Sequence, residues 1–245
     1  MSERPTAEAI RSLRKEKKDQ RERDFATAIG ISEAELLAAH LGPDIRPIIA
    51  DPDRLMPAVS TLGEVMALTR NESAVHERVG TYGEYRSGAH AAMVLGEDID
   101  LRIFPQHWVH AFAISQETDR GLRRTLQVFD AAGDAVHKVF MREGTAHGQW
   151  DAVVESLLID GTDTLSVTAR PAVEPAKENH KNRDALLSEW ARMTDTHQFM
   201  RLTSKLGTNR LGAYRMIAGE DWVKPLATDA VTRRLETASA ATQEV

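Results

Sequence analysis

Two hydrophobic periodicities divide the chain. Up to Leu62 apolar positions recur every three to four residues, the spacing of helices that bury one side. This predicts helices over 3–19, 24–29, 32–40 and from Asp51 or Asp53 to Leu62. The first is highly charged, with Leu13 nearly its only large apolar residue and acids interleaved among its bases, which is the composition of a solvated face. Ser32 followed by Glu35 is a capping-box pattern, and Gly30 and Gly42 stand where helices end. After Gly63 the period falls to two. Segments 64–70, 74–79, 91–95, 99–104, 108–115, 125–129 and 136–141 read as strands, mostly joined by short turns, with Gly80, Gly83 and Gly88 read as turn residues. The clearest hairpin runs through Asp130-Ala-Ala-Gly-Asp134. Strands this close in sequence pair most economically as an antiparallel sheet.

Residues 150–159 return to the helical spacing, with Val153, Val154, Leu157 and Leu158 on one side, suited to covering a sheet face; 165–169 reads as a last strand. Residues 170–183 hold two prolines and six charged side chains, which cannot build a core, and read as a linker in which His180 is exposed. Helices are then predicted over 185–193, 196–206, 210–218 and 229–239. The segment 29–42 can be laid on 206–219: in both, Gly closes one helix, Ser32 or Asn209 caps the next, and a second Gly ends it at the same spacing. The predicted fold class is therefore α+β. A large antiparallel sheet with flanking helices occupies 1–169, a linker 170–183, and the helices of 184–245 open a second, truncated repeat whose sheet would begin where the chain stops. Their apolar residues, Leu211, Tyr214, Met216, Ile217, Trp222 and Leu226, would then lack part of a partner.

Composition narrows the function classes. The chain has 245 residues and no cysteine, which removes disulfides, thiolate metal sites and thiol nucleophiles and fits a reducing compartment. A formal charge of −6 argues against general nucleic-acid binding. No apolar run approaches a membrane span and the polar N-terminus has no signal-peptide core. A cytoplasmic protein is expected, without membrane insertion. Phosphate-loop glycines, HExxH and Gly-x-Ser-x-Gly are all missing.

The most informative stretch is Met193-Thr-Asp-Thr-His-Gln-Phe-Met200. Asp195 with Gln198 can cap the helix that begins there, which places His197 in its first turn. The positive end of the helix dipole disfavours imidazolium and keeps a nitrogen lone pair free for a metal. In the segment 98–104, Ile99, Leu101 and Ile103 alternate with Asp98, Asp100, Arg102 and Phe104, so Arg102 and Phe104 share a face. Taken alone, Arg102 reads rather as a surface cross-strand partner of an acid, and Arg210 as a solvated helix charge. His107 and His110, three apart on an expected strand, should point to opposite faces. His40, His90, His137 and His147 have no supporting constellation.

Four stretches carry a resemblance: Gly63-Glu-Val-Met-Ala-Leu-Thr-Arg-Asn-Glu, Ala74-Val-His-Glu-Arg-Val-Gly80, Ile99-Asp-Leu-Arg-Ile-Phe104 with Trp108, and Leu187-Ser-Glu-Trp-Ala-Arg-Met-Thr-Asp-Thr-His-Gln-Phe199. In these the chain resembles the bacterial cytoplasmic haem-transport and haem-degrading proteins of the HemS/HmuS type. The resemblance implies two similar halves with haem between them, His197 as proximal iron ligand, Arg102 and Phe104 on the opposite face, and Arg210 at a propionate. His76, in the Ala-Val-His-Glu-Arg-Val stretch, is a second candidate for haem contact. The chemistry is compatible: guanidinium does not ligate iron but can hydrogen-bond a ligand on it, phenylalanine can stack on porphyrin, and neutral histidine is an ordinary axial ligand. Where the family usually has two aromatics, Phe199 is followed by Met200, an apolar and adaptable substitute. Three functions follow as expectations. The first is haem binding with transfer or sequestration after import, in exchange with a haem importer or a haem oxygenase. The second is oxidative haem degradation releasing iron. The third is a truncated remnant that binds haem weakly or not at all, able to form a homodimer through its unpaired helices.

Overall fold

Helix caps, turn residues and strand alternation fix the elements of the computed structural model, which describes residues 4–71, 74–119, 121–143, 145–196, 198–221 and 223–240. The chain divides into two units, Met1–Arg170 and Pro171–Val245. The first begins with α1 (Ala7–Glu16), α2 (Glu22–Ile29) and α3 (Glu33–Ala38). Ser32 and Glu35 cap each other's backbone N–H groups, as the sequence pattern predicts. Then come β1 (Ile45–Ile48), α4 (Pro52–Ser60) with Asp51 as its cap, β2 (Val65–Arg70) and β3 (Val75–Gly80). They are followed by β4 (Glu84–Arg86), β5 (Ala92–Leu95), β6 (Leu101–Ile103), β7 (His110–Thr118), β8 (Gly121–Phe129), β9 (Ala135–Met141) and α5 (Trp150–Leu157).

The strands form two antiparallel sheets. One is six-stranded, in the order β1-β7-β8-β9-β2-β3, and the other is a separate three-stranded sheet, β4-β5-β6. Alternation sends Val65, Ala67, Ala111, Ala113, Leu126, Val128 and Val139 to one face of the large sheet. There they meet Leu55, Met56 and Val59 of α4, Val153, Val154 and Leu157 of α5, and the inner residues Ala92, Val94 and Ile103 of the small sheet. On the opposite face Phe112, Ile114 and Phe129 pack on Ala34, Leu37 and Ala38 of α3, and α1 and α2 pack behind it. The β8–β9 hairpin closes as its sequence predicts: Asp130 Oδ1 accepts the Ala132 and Asp134 N–H groups, and Gly133 takes φ 81°.

Several expectations are corrected. β1 falls in a stretch to which the sequence reading assigns no element; it lies on the sheet edge, where the missing N–H of Pro47 is tolerated. Residues 165–169 form no strand, and Thr168 N–H makes one bond to the Ala131 carbonyl. The helix expected over 150–159 ends at Leu157, since Leu158 leaves it to bridge Ile48. Gly80 and Gly83 are positions of close approach rather than turn residues: a β-carbon on Gly83 would lie 2.1 Å from the Leu95 carbonyl oxygen, and one on Gly80 2.3 Å from the Asp98 β-carbon.

The second unit contains α6 (Arg183–Ala191), α7 (Gln198–Lys205), α8 (Arg210–Met216) and α9 (Thr228–Ala240). Leu186, Phe199, Leu202, Ala213, Met216 and Ile217 form its core. The segment before α6 has no strand, yet it is held: Asn209 caps α8 through Gly212 N–H, accepts the Lys177 N–H and donates to the Pro175 carbonyl.

One polar cluster lies within the packed helical face of the large sheet. Glu33 of α3 is shared by Lys138 of β9, at 3.0 Å, and Arg70 of β2. Burial raises the Glu33 pKa, but the two cations outweigh it and hold the carboxyl below its ordinary range. A depressed carboxylate contributes stability that is present above its unfolded pKa and lost as pH falls through the folded one. Glu33→Gln should therefore cost about 3–5 kcal/mol at pH 7, by leaving two cations without their carboxylate. Urea denaturation at pH 7 and at pH 3 checks this, because the gap between wild type and variant should shrink at the lower pH.

Candidate functional site

Strand alternation and a proline-bounded turn build the site in the first unit. Ile103 of β6 is buried, while Arg102 and Phe104 are exposed, so the predicted common face is the outer one. Pro105 then stops the strand and residues 105–107 wind into a 3₁₀ turn. His107 consequently lies on this turn and not on a strand with His110, as expected from spacing. The turn brings the His107 ring to 6.5 Å from Phe104, edge to face. Arg102, Phe104, His107 and Trp108 border a cavity of about 290 Å³ that Thr69 and His137 also line. Phe104 remains 46% exposed, and Arg102 makes no ion pair among the described residues. An exposed aromatic face beside a guanidinium that has no ion-pair partner among the described residues suits a flat apolar molecule with acceptor groups.

His137, which the sequence left without partners, is the buried centre of this region at 3% exposure. Its Nε2 lies 2.7 Å from the Tyr82 hydroxyl and its Nδ1 3.0 Å from the Thr69 hydroxyl. Its ring stacks on Trp108, with centroids 5.8 Å apart and planes 16° off parallel. Burial pushes the His137 pKa down to about 4 and raises that of Tyr82. Both groups are therefore neutral at physiological pH and act as hydrogen-bonding anchors. The alternation of β9 was the one local signal: His137 is in phase with Val139, which packs in the core.

The other candidates fall elsewhere. His76 is exposed on the edge strand β3, opposite Thr69, and is not among the residues lining the cavity. In the second unit, Arg210 opens α8 and its guanidinium lies 3.9 Å from the Met200 sulfur. Met200 is 59% exposed, and Leu211 and Tyr214 are exposed near the Trp190–Phe199–Tyr214 ring cluster. This again sets a cation beside open apolar surface. The Gln198 side chain reaches back to Thr194, accepting its N–H at 3.2 Å. His197 lies outside the described residues. Among the described residues no cluster of three His, Asp or Glu could hold a metal ion, and no helix is long and apolar enough to cross a membrane.

Comparison with known proteins shows the family. A family model described as the haemin-degrading HemS.ChuX domain matches residues 30–157. The chain belongs to the HemS/ChuX family. It is 37% identical over 228 residues to the hemin transport protein HmuS of Yersinia pestis, covering 91% of this chain and 64% of that protein. The chain thus spans somewhat less than two thirds of that curated relative. Among solved structures, holo-PhuS, a heme-binding protein from Pseudomonas aeruginosa, superposes with a TM-score of 0.83 at 38% identity, over 96% of this chain and 69% of that one. ChuS, an E. coli heme oxygenase, gives 0.76 at 30% identity, over 94% and 68%. The mixed fold with a large antiparallel sheet and flanking helices is that of these HemS/ChuX-family structures.

The His137 anchor makes a pH-dependent prediction. Its stabilising effect is complete above the unfolded pKa near 6.5 and is lost as pH falls to about 4. That shift corresponds to about 3 kcal/mol. Denaturant titrations of wild type and His137→Phe across this window should show the wild type losing that much more stability than the variant. Equal slopes would contradict the assignment.

Proposed function

We propose that this chain binds haem in the cytoplasm after import and passes it on or sequesters it. In this reading the imidazole of His197 is the axial ligand to the iron and Arg102 faces the opposite side. Phe104 lies against the porphyrin, Arg210 pairs with a propionate, and His76 is a secondary contact. The observation that carries the reading is the Arg102 guanidinium, without an ion-pair partner among the described residues, beside the half-exposed Phe104 ring at the mouth of the His107–Trp108 cavity. Haem is a flat apolar ring with anionic edges, and a guanidinium next to an open aromatic face fits that chemistry. The exposed Met200, Leu211 and Tyr214 beside Arg210 repeat the same pairing. The names of the relatives, a hemin transport protein and a heme-binding protein, point the same way.

The residues divide the work by chemical type. Arg102, permanently charged and donor-only, can orient a polar ligand on the haem but cannot remove a proton from it. The Tyr82–His137–Thr69 cluster holds Trp108 and with it the wall of the cavity. A second reading, oxidative haem cleavage, is favoured by the likeness to a heme oxygenase. Haem would supply the redox chemistry and an external donor the electrons; this chain would supply orientation and charge. A haem importer and a separate haem oxygenase are the natural partners for transfer.

Titration with haem should give a saturable one-to-one complex. Arg102→Ala should alter the ligand state on the far side of the iron while histidine ligation is retained, and weaken binding about tenfold, the effect of losing a charged hydrogen bond. The spectrum and affinity of the variant check this. Transfer of haem to an oxygenase without bilin formation supports the carrier reading, and bilin formation that survives catalase supports cleavage. A complete lack of saturable binding would overturn both.

A further inference from the structure

The second unit holds a methionine unlike the others. Met200 of α7 is 59% exposed. Among the described residues Met66, Met93, Met141 and Met193 are half-buried, and Met56 and Met216 are buried. The Met200 sulfur also faces a cation, because the Arg210 guanidinium at the start of α8 lies 3.9 Å away. Arg210 makes no ion pair among the described residues, so the thioether is the acceptor that its guanidinium meets there.

A thioether sulfur is a weak hydrogen-bond acceptor, so this contact does little to hold the guanidinium. Oxidation changes that. Peroxide transfers one oxygen atom to a sulfur lone pair: an S–O bond forms, the peroxide O–O bond breaks, the thioether loses two electrons and the peroxide is reduced to water. The sulfoxide is polar, and its oxygen accepts well from a charged donor. Met200 offers its sulfur to solvent, and Arg210 already stands beside it. The pair therefore has both parts of a redox-dependent hydrogen bond, an oxidisable atom open to peroxide and a cationic donor within reach of the oxygen it would gain.

We propose that Met200 is a peroxide-oxidised site whose sulfoxide captures the Arg210 guanidinium. The consequence for haem rests on the reading above, in which Arg210 pairs with a propionate. The sulfoxide oxygen and the propionate then compete for one cation, so the oxidised chain holds haem more weakly. Phe199 beside Met200 is buried and packs on Trp190, which confines the change to the exposed side of α7. Methionine sulfoxide reductases reverse the oxidation and reset the site.

The haem-free chain is treated with graded hydrogen peroxide, quenched with catalase and mapped by mass spectrometry. Met200 should be oxidised about tenfold faster than the buried Met56 and Met216. The Arg210 Nε–H resonance should shift on oxidation. It should be shifted without peroxide in Met200→Gln, whose amide oxygen is a stable acceptor at the same place. Oxidised wild type should bind haem about fivefold more weakly, the worth of roughly one hydrogen bond, and sulfoxide reductase should restore the affinity. Met200→Leu and Arg210→Gln should each keep their own haem affinity through the same treatment. Four results would overturn the proposal: Met200 oxidised no faster than the buried methionines, an Arg210 signal unmoved by oxidation, a wild-type haem affinity unmoved by it, or a loss of affinity that persists in Met200→Leu. A chain that takes up no haem before peroxide fails the haem reading alone, because the mapping and the Arg210 resonance need no haem and still decide whether the sulfoxide forms and captures the guanidinium.

Discussion

One buried imidazole ties together the polar groups at the junction of the first unit's two sheets. His137 belongs to the large sheet, Thr69 to its neighbouring strand, and Tyr82 to the segment that leads into the small sheet. Trp108, on the connection between the sheets, stacks on the same ring. A neutral histidine with both nitrogens hydrogen-bonded can be buried at little cost, whereas removing either partner would leave an unpaired polar atom in the core. The position of Trp108, and so the wall behind Arg102 and Phe104, depends on this arrangement. Close approach of the chains reinforces it, because Gly83 sits where a side chain would strike the Leu95 carbonyl.

The charges of the large sheet's helical face and of the small sheet differ in their pairing. On the helical face Glu33 binds Lys138 and Arg70, so ionised groups there are paired within the fold. On the small sheet Arg102 is exposed and has no acidic partner among the described residues. A guanidinium already paired could not take part in recognition without losing its partner first. Arg102 belongs to the region where family resemblance expects the haem face, and the exposed Phe104 belongs with it.

Much of this was legible in the sequence, for local reasons. The hairpin at Asp130–Gly133, the capping box at Ser32 and the common face of Arg102 and Phe104 each follow from a few adjacent residues. Features set by distant partners were not. β1 carries Pro47, and nothing local says that the strand is an edge. Pro105 opens a 3₁₀ turn between two expected strands and brings His107 beside Phe104. His137 is an unremarkable residue in sequence, and its partners stand 55 and 68 positions away. Residues 165–169 alternate like a strand but, among the described residues, bond to the rest of the unit once along the backbone, at Ala131. The importance of His197 came from family resemblance more than from any local rule, since a first-turn histidine is ordinary.

The central claim, that this chain carries haem on an imidazole of the second unit, is tested most directly by the axial ligation of the haem complex. The Soret and resonance Raman spectra of haem-loaded wild type should report a histidine ligand, and His197→Ala should lose or replace it with weaker binding. A variant whose spectrum and affinity match wild type would show that the iron is held elsewhere, and would contradict the account.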